Sequence, residues 1–145
     1  MTYADTSFIV SAYVQDGHSA AAQELMNSNP RLWLSPLHLA EIFHAITQQV
    51  FYRRISAADA HDIYHQLESD RIAGVWAETQ LPENAFELCA ELARRHGPKL
   101  GTRTLDSLHV ACALELKAER FWTFDERQAK LAKAEGLKTR LDEKN

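Results

Sequence analysis

Four acidic residues occupy positions where carboxylates do chemistry: Asp5, Glu41, Asp106 and Asp125. Asp5 follows a short apolar opening stretch, and Asp125 follows Phe121-Trp122-Thr123-Phe124, so each reads as the residue after a strand. Glu41 falls about one turn into the helix after a second strand, and Asp106 begins the helix that leads into the strand before Asp125. In open parallel α/β sheets, ligands bind beyond the carboxyl ends of the strands. If these elements pack as one sheet, all four acids can face one pocket. Carboxylates gathered in this way raise one another's pKa unless a cation neutralises them. An all-oxygen donor set suits a hard divalent ion, Mg2+ or Mn2+, better than zinc. Such an ion holds phosphate oxygens, activates water and stabilises a leaving alkoxide. The chemistry implied is phosphodiester hydrolysis.

Each acid also has a plainer reading. Asp5 and Asp125 suit helix caps, and Asp125 with Gln128 has the spacing of a capping box. Asp106 in a first helical turn would oppose the helix dipole. Glu41 would be a solvated residue beside an apolar stripe. The weight rests on the four together, at matching places in the order of elements.

The elements that must position them follow from apolar periodicity and breakers. Residues 1–4 form a candidate strand, 7–14 a first helix and 20–26 a second, with Asn27-Ser28-Asn29-Pro30 as a turn. Leu32-Trp33-Leu34-Ser35 is a compact strand, and Pro36 opens a helix carrying Leu39, Ile42, Phe43, Ile46 and Val50. Ser56 and Asp59 have capping-box spacing ahead of a helix with Ala60, Ile63, Tyr64 and Leu67. Gly74-Val75-Trp76-Ala77 is a third strand, and a helix from about Pro82 carries Ala85, Leu88, Cys89 and Leu92. Residues 94–103, rich in basic residues and containing Gly97, Pro98 and Gly101, read as a loop. A helix from Thr104 precedes the fourth strand, another runs to about Ala134 and ends at Gly136, and Leu137-Lys138-Thr139 suggests a fifth edge strand. Strands alternating with helices imply a parallel sheet covered on both faces.

The bulk numbers fit. A chain of 145 residues suits one core, and 46% apolar with 25% charged residues is ordinary for a globular protein. The net charge of −4 argues against a stoichiometric nucleic-acid coat, not against an enzyme that touches a few phosphates. No apolar run approaches the ~20 residues of a membrane helix, and the opening residues lack signal-peptide character. Cys89 and Cys112 sit in helical apolar patterns and read as buried thiols in a reducing cytoplasm.

Several features carry two readings. The basic segment with Arg94, Arg95, Lys99 and Arg103 would guide RNA phosphates toward a metal, or is a solvated loop. His61 and His65, spaced i, i+4 on a helix, lack an evident third ligand for a zinc site. His38 and His44 flank Glu41 without forming a metalloprotease motif, and Trp33, Trp76 and Trp122 sit in strands, where aromatics pack.

Four segments resemble the PIN-domain family. Tyr3-Ala4-Asp5-Thr6-Ser7-Phe8-Ile9-Val10 resembles its opening D-[ST]-[SN] signature, and Ser35-Pro36-Leu37-His38-Leu39-Ala40-Glu41-Ile42 its second motif, in which a helix delivers one glutamate. Thr104-Leu105-Asp106-Ser107-Leu108-His109-Val110-Ala111-Cys112-Ala113 resembles the third and Phe121-Trp122-Thr123-Phe124-Asp125-Glu126-Arg127 the fourth. Each motif alone is weak; four in order, from residue 3 to about 137, are specific. The length resembles the stand-alone VapC-type toxins of toxin–antitoxin pairs, although similar single-domain PIN proteins exist outside such pairs.

The resemblance implies a single three-layer α/β/α domain over residues 1–140, with a parallel sheet in the order 3-2-1-4-5 and a frayed tail at 141–145. It implies a Mg2+- or Mn2+-dependent endoribonuclease, with Asp5, Glu41, Asp106 and Asp125 as its acidic, metal-holding site. Thr6 and Thr123 fall where the family has small hydroxyl residues that position the metal's water; strand-end hydrogen bonding is the alternative. It also implies a homodimer, an RNA substrate and a cognate antitoxin whose C-terminal segment occupies the active-site groove. His109, one helical turn after Asp106, either lines that groove or packs.

Rival readings are weaker. A haloacid-dehalogenase-type phosphatase needs a second aspartate two residues after the first, where this chain has Ser7. A response-regulator receiver needs an acidic pair before its aspartate and a late lysine, and neither is present. A catalytically silent PIN module that binds RNA or protein is the alternative from another class, but all four acids are there.

Overall fold

Short apolar strands alternate with helices in the computed structural model of the protein, which describes residues 1–144. The elements run β1 (Thr2–Ala4), α1 (Thr6–Tyr13), α2 (Ser19–Met26), β2 (Leu32–Leu34), α3 (Pro36–Phe51), α4 (Ala57–Ile72) and β3 (Trp76–Glu78). They continue with α5 (Ala85–Leu100), α6 (Thr104–Glu115), β4 (Arg120–Trp122), α7 (Glu126–Ala134) and β5 (Lys138–Thr139). The strands form one parallel sheet in the order β3-β2-β1-β4-β5, the PIN-like α/β arrangement expected from the sequence.

The chain groups into two compact units, Met1–Asp5 with Gln80–Asn145, and Thr6–Thr79. In the first, β1 pairs with β4 in the register Tyr3↔Phe121 and Ala4↔Trp122, and β4 pairs with β5. Tyr3, Leu92, Val110, Phe121 and Leu131 are fully buried there. Every residue of α6 from Ser107 to Ala113 is buried, the pattern of a helix enclosed on all sides. In the second unit, β2 pairs with β3, and Phe8, Ile9, Leu32, Ile42 and Ile46 are fully buried.

Local signals explain the helix starts. The Ser35 hydroxyl accepts from the His38 N–H, while His38 Nδ1 accepts from the Ser35 N–H, and Pro36 occupies the first helical position. Ser56 and Asp59 form the expected capping box at the start of α4.

The structure corrects the sequence expectation at residues 94–103. They are not a loop: α5 continues through Arg94, Arg95, Gly97, Pro98 and Lys99 to Leu100. Proline's fixed φ is compatible with a helix, and Pro98 removes only one N–H in the last turn, opposite the carbonyl of the exposed Arg94. The stop comes at Gly101, whose φ of 62° and N–H bond to the Gly97 carbonyl at 2.8 Å make it the left-handed cap. The true connection to α6 is Gly101, Thr102 and Arg103.

Beyond β5, Arg140–Lys144 forms a 3-10 helix where a frayed tail was expected. Asp142 accepts from the N–H and hydroxyl of Thr139, and Glu143 pairs with Arg120 at 2.6 Å. Asn145 lies outside the described residues. No helix among the described residues is long and apolar enough to cross a membrane.

Candidate active site

The β1–β4 register dictates the first part of the site. With Ala4 opposite Trp122, the residues that follow, Asp5 and Thr123, emerge at the same sheet end. The Asp5 N–H extends the ladder to the Trp122 carbonyl at 3.0 Å, and the Asp5 side chain, 6% exposed, lies with Oδ2 3.2 Å from Thr123 Oγ1. Thr123 Oγ1 is also 2.7 Å from Gln128 Oε1 and accepts from the Asp125 N–H at 3.0 Å. One hydroxyl proton thus has two acceptors, Asp5 and Gln128.

Asp125 caps α7: its Oδ1 accepts the Gln128 N–H at 2.8 Å. The capping reading of this residue is therefore correct as geometry, and one carboxylate oxygen is left over for other work. Gln128 is fully buried, and its Nε2 donates to the Asp106 main-chain carbonyl at 3.1 Å. Its side-chain amide thereby ties Asp106 to Thr123, and its main-chain N–H holds Asp125. Asp106, in the first turn of α6, is half-buried and 3.6 Å from the guanidinium of Arg103, which is 87% exposed. Solvent screening makes that pair weak.

Asp106 and Asp125 line one cleft of about 380 Å³, together with Gly101, Arg103, Glu126 and Arg127. Glu41 belongs to the second unit, half-buried on α3, where its Oε1 accepts the Thr6 hydroxyl at 2.8 Å. Thr6 is the chain neighbour of Asp5.

Among the described residues, no three His, Cys, Asp or Glu side chains stand close enough together to grip an ion without rearrangement. A hard divalent ion does not require such a cage: Mg2+ keeps several waters and takes one or two carboxylates plus substrate phosphates. Asp106 and Asp125 in one open cleft fit that donor chemistry.

The remaining candidates separate clearly. Of the basic residues, Arg94, Arg95 and Lys99 are exposed on α5, and Arg95 is engaged by Glu135 at 2.6 Å and by Glu91 at 3.5 Å; Arg103 stands at the cleft. His109 is buried with Nδ1 2.8 Å from the Tyr3 hydroxyl, so it packs. His61 and His65 meet through their Nε2 atoms at 3.0 Å on the exposed side of α4. His38 is buried as a helix cap, and Trp76 and Trp122 are buried. Cys89 and Cys112 are buried free thiols, and burial pushes Cys112 up to about 11.

Two residues escaped the sequence reading: Gln128 as the buried hub and Arg127 at the cleft. The capping-box spacing of Asp125 and Gln128 was the only signal, and it pointed to the wrong half of the contact. The Gln128 backbone does bond to Asp125, but its side chain turns away to Thr123 and Asp106.

Solved structures share the fold. VapC20 of Mycobacterium tuberculosis, a toxin that cleaves the sarcin-ricin loop, is 20% identical over 90% of this chain and 94% of its own, with a TM-score of 0.68. FitAcB from Neisseria gonorrhoeae is 16% identical over 96% of each chain, at 0.70. VapBC2 from Rickettsia felis, bound to a DNA fragment from their promoter, is 18% identical over 96% of this chain and 97% of that one, at 0.61. No curated protein sequence matches significantly. Residues 2–134 match the PIN domain, nearly the whole chain and all four acids, and the protein therefore belongs to the PIN-domain family.

Proposed function

We propose that this PIN domain is a Mg2+- or Mn2+-dependent endoribonuclease that hydrolyses RNA phosphodiester bonds as the toxin of a type II toxin–antitoxin pair. The observation that carries this reading is the placement of Asp106 and Asp125 on one cleft, with Asp5 joined to them through Thr123 and Gln128. Family membership supports a nuclease. The neighbours add a toxin that cleaves the sarcin-ricin loop and the VapBC2 assembly, which favour an RNA substrate and an antitoxin partner. A homodimer working in the cytoplasm belongs to the same proposal.

In this reading Asp106 and Asp125 hold the ion from the cleft, with Asp5 joined to them through Thr123 and Gln128, while the assignment of Glu41 rests on its family motif alone. When bound, the ion supplies positive charge for the phosphate and an acidified water. The chain's own residues do the rest. Asp125 spends Oδ1 on the α7 cap, so Oδ2 is its donor atom. Thr123 Oγ1, whose single proton is shared between Gln128 and Asp5, fixes the Asp125 backbone by accepting its N–H. Gln128 keeps the Asp106 segment in place through the main-chain carbonyl. Within the second unit, the Thr6 hydroxyl donates to Glu41 and holds that carboxylate on α3. Preorganised groups of this kind cost no rearrangement when charge develops.

The test is cleavage of a pool of structured RNAs by the purified, antitoxin-free protein in Mg2+ or Mn2+ and in EDTA. Cleavage that EDTA abolishes supports the proposal. Cleavage unaffected by EDTA removes the metal from it, and folded protein without cleavage in either ion favours a silent binding module.

A further inference from the structure

We infer that Arg127 is a substrate-positioning residue, taking a non-bridging oxygen of an RNA phosphate in the cleft that Asp106 and Asp125 line. The inference rests on the nuclease reading above and assigns that site's anion contact.

Four observations carry it. Arg127 lines the same cleft as Asp106, Asp125 and Glu126. It nevertheless makes no ion pair with any of the three, whereas Arg103 stands 3.6 Å from Asp106. An exposed guanidinium beside three carboxylates that pairs with none has its five donors available to something that enters the cleft. Second, its guanidinium reaches the turn that ends α5. A methyl group on Gly101 would lie 4.0 Å from Arg127 Nη1, so the guanidinium leans over the glycine that ends α5.

Third, Arg127 is the second residue of α7, after the Asp125 cap. A cation in a first turn opposes the helix dipole; Glu126 beside it is the favourable residue. A guanidinium there instead adds to the positive end of the helix, where phosphates bind. Fourth, the charges of the cleft switch sign with the ion. Its lining holds three carboxylates against two guanidiniums, so without an ion a phosphate is repelled, and a divalent ion makes the cleft cationic. Arginine is suited to a phosphate because its planar fork offers two parallel N–H donors.

The roles of the two arginines therefore differ. Arg103 shares its charge with Asp106 through a weak, solvated pair, and Arg127 carries no such pair.

The experiment compares wild type, Arg127→Ala and Arg127→Lys. Cleavage of a structured RNA pool in Mn2+ gives kcat and KM, and anisotropy of a fluorescein-labelled hairpin RNA against NaCl in Ca2+ gives the salt slope of binding. Arg127→Ala should lower kcat/KM by about ten-fold or more, the scale of one charged hydrogen bond. It should also flatten the log–log salt slope by about 0.7–0.9, the loss of one phosphate contact. Arg127→Lys should restore the slope, since the charge returns, while recovering kcat/KM only in part, since the fork does not. An unchanged kcat/KM and slope in Arg127→Ala, with wild type active, overturns this inference and leaves the nuclease standing. A slope that lysine fails to restore makes the residue structural and overturns it as well. No cleavage by wild type with any RNA overturns the nuclease reading and this inference with it.

Discussion

Gln128 donates through Nε2 to the main-chain carbonyl of Asp106 at 3.1 Å, across 22 positions of sequence and from the interior of a different helix. The same amide's oxygen lies 2.7 Å from Thr123 Oγ1. A neutral, fully buried side chain thus determines where two of the four acidic segments stand. Its orientation follows from the two contacts: only the NH2 end can meet a carbonyl, which leaves the oxygen for the hydroxyl.

Gln128→Leu keeps the volume and removes both contacts, leaving the Thr123 hydroxyl and the Asp106 carbonyl without this partner. The Thr123 hydroxyl keeps Asp5 as an acceptor, so the loss is that of two net hydrogen bonds at about 0.5–1.5 kcal/mol each, and the variant should lose about 1–3 kcal/mol of unfolding free energy in urea titrations. A loss below about 0.5 kcal/mol would remove Gln128 from the role assigned to it.

Much of this was readable in the sequence, and the failures have physical causes. Asp5 and Asp125 were placed at strand ends because apolar strands and polar breakers alternate; the β1–β4 register bears this out for Asp5, whereas β4 ends at Trp122 and Asp125 follows three residues later as the α7 cap. Gln128 was not readable as a hub, because its partners come from α6 and the end of β4, and a side chain's direction is not written in its spacing. Residues 94–103 misled because Gly97 and Pro98 both act as breakers in isolation. Within α5, packing through Ala85, Cys89 and Leu92 carries the helix to the left-handed cap at Gly101. Arg127 carries no signal of its own in the sequence, because the cleft it lines is built from the turn after α5, from α6 and from the start of α7.

In the second unit, Tyr13 donates to Asp70 and accepts from Trp76 Nε1 at 3.1 Å. Burial first, then the bond to Asp70, holds its phenol well above the ordinary tyrosine range. The folded state thus keeps a proton that the unfolded chain gives up near pH 10. Its stabilisation is complete below about pH 10 and is lost as pH rises toward the folded value. Urea midpoints measured from pH 8 to 11 should fall at the alkaline end, and Tyr13→Phe should fall less steeply. Parallel curves for the two proteins would contradict the assignment.

Burial raises both thiols, Cys112 to about 11 from an ordinary 9.0. At pH 8 the thiolate fraction of Cys112 is then about a hundred-fold below that of a free cysteine, and the thiolate is the reactive species. Labelling with a disulfide reagent should be slow in native protein and complete in urea, with Cys89 reacting before the more deeply placed Cys112. Rapid labelling of two thiols in native protein would contradict the burial.

Arg103 neutralises part of the Asp106 charge before any ion arrives. Arg103→Ala should therefore tighten Mn2+ binding, though only about two- to three-fold, because the arginine is largely solvated. Calorimetric titration checks this, and weaker binding in the variant would mean that Arg103 supports the ion site rather than competing for it.

The central claim is that the acidic cluster hydrolyses RNA, and Asp5→Asn tests it most directly. The substitution preserves shape and can still accept from Thr123, while removing the charge that would hold an ion. Cleavage rates of wild type and Asp5→Asn on the same structured RNA pool in Mn2+, with folding checked by circular dichroism, should differ by about 100-fold or more. Near-equal rates from two folded proteins would place the chemistry elsewhere and contradict the account.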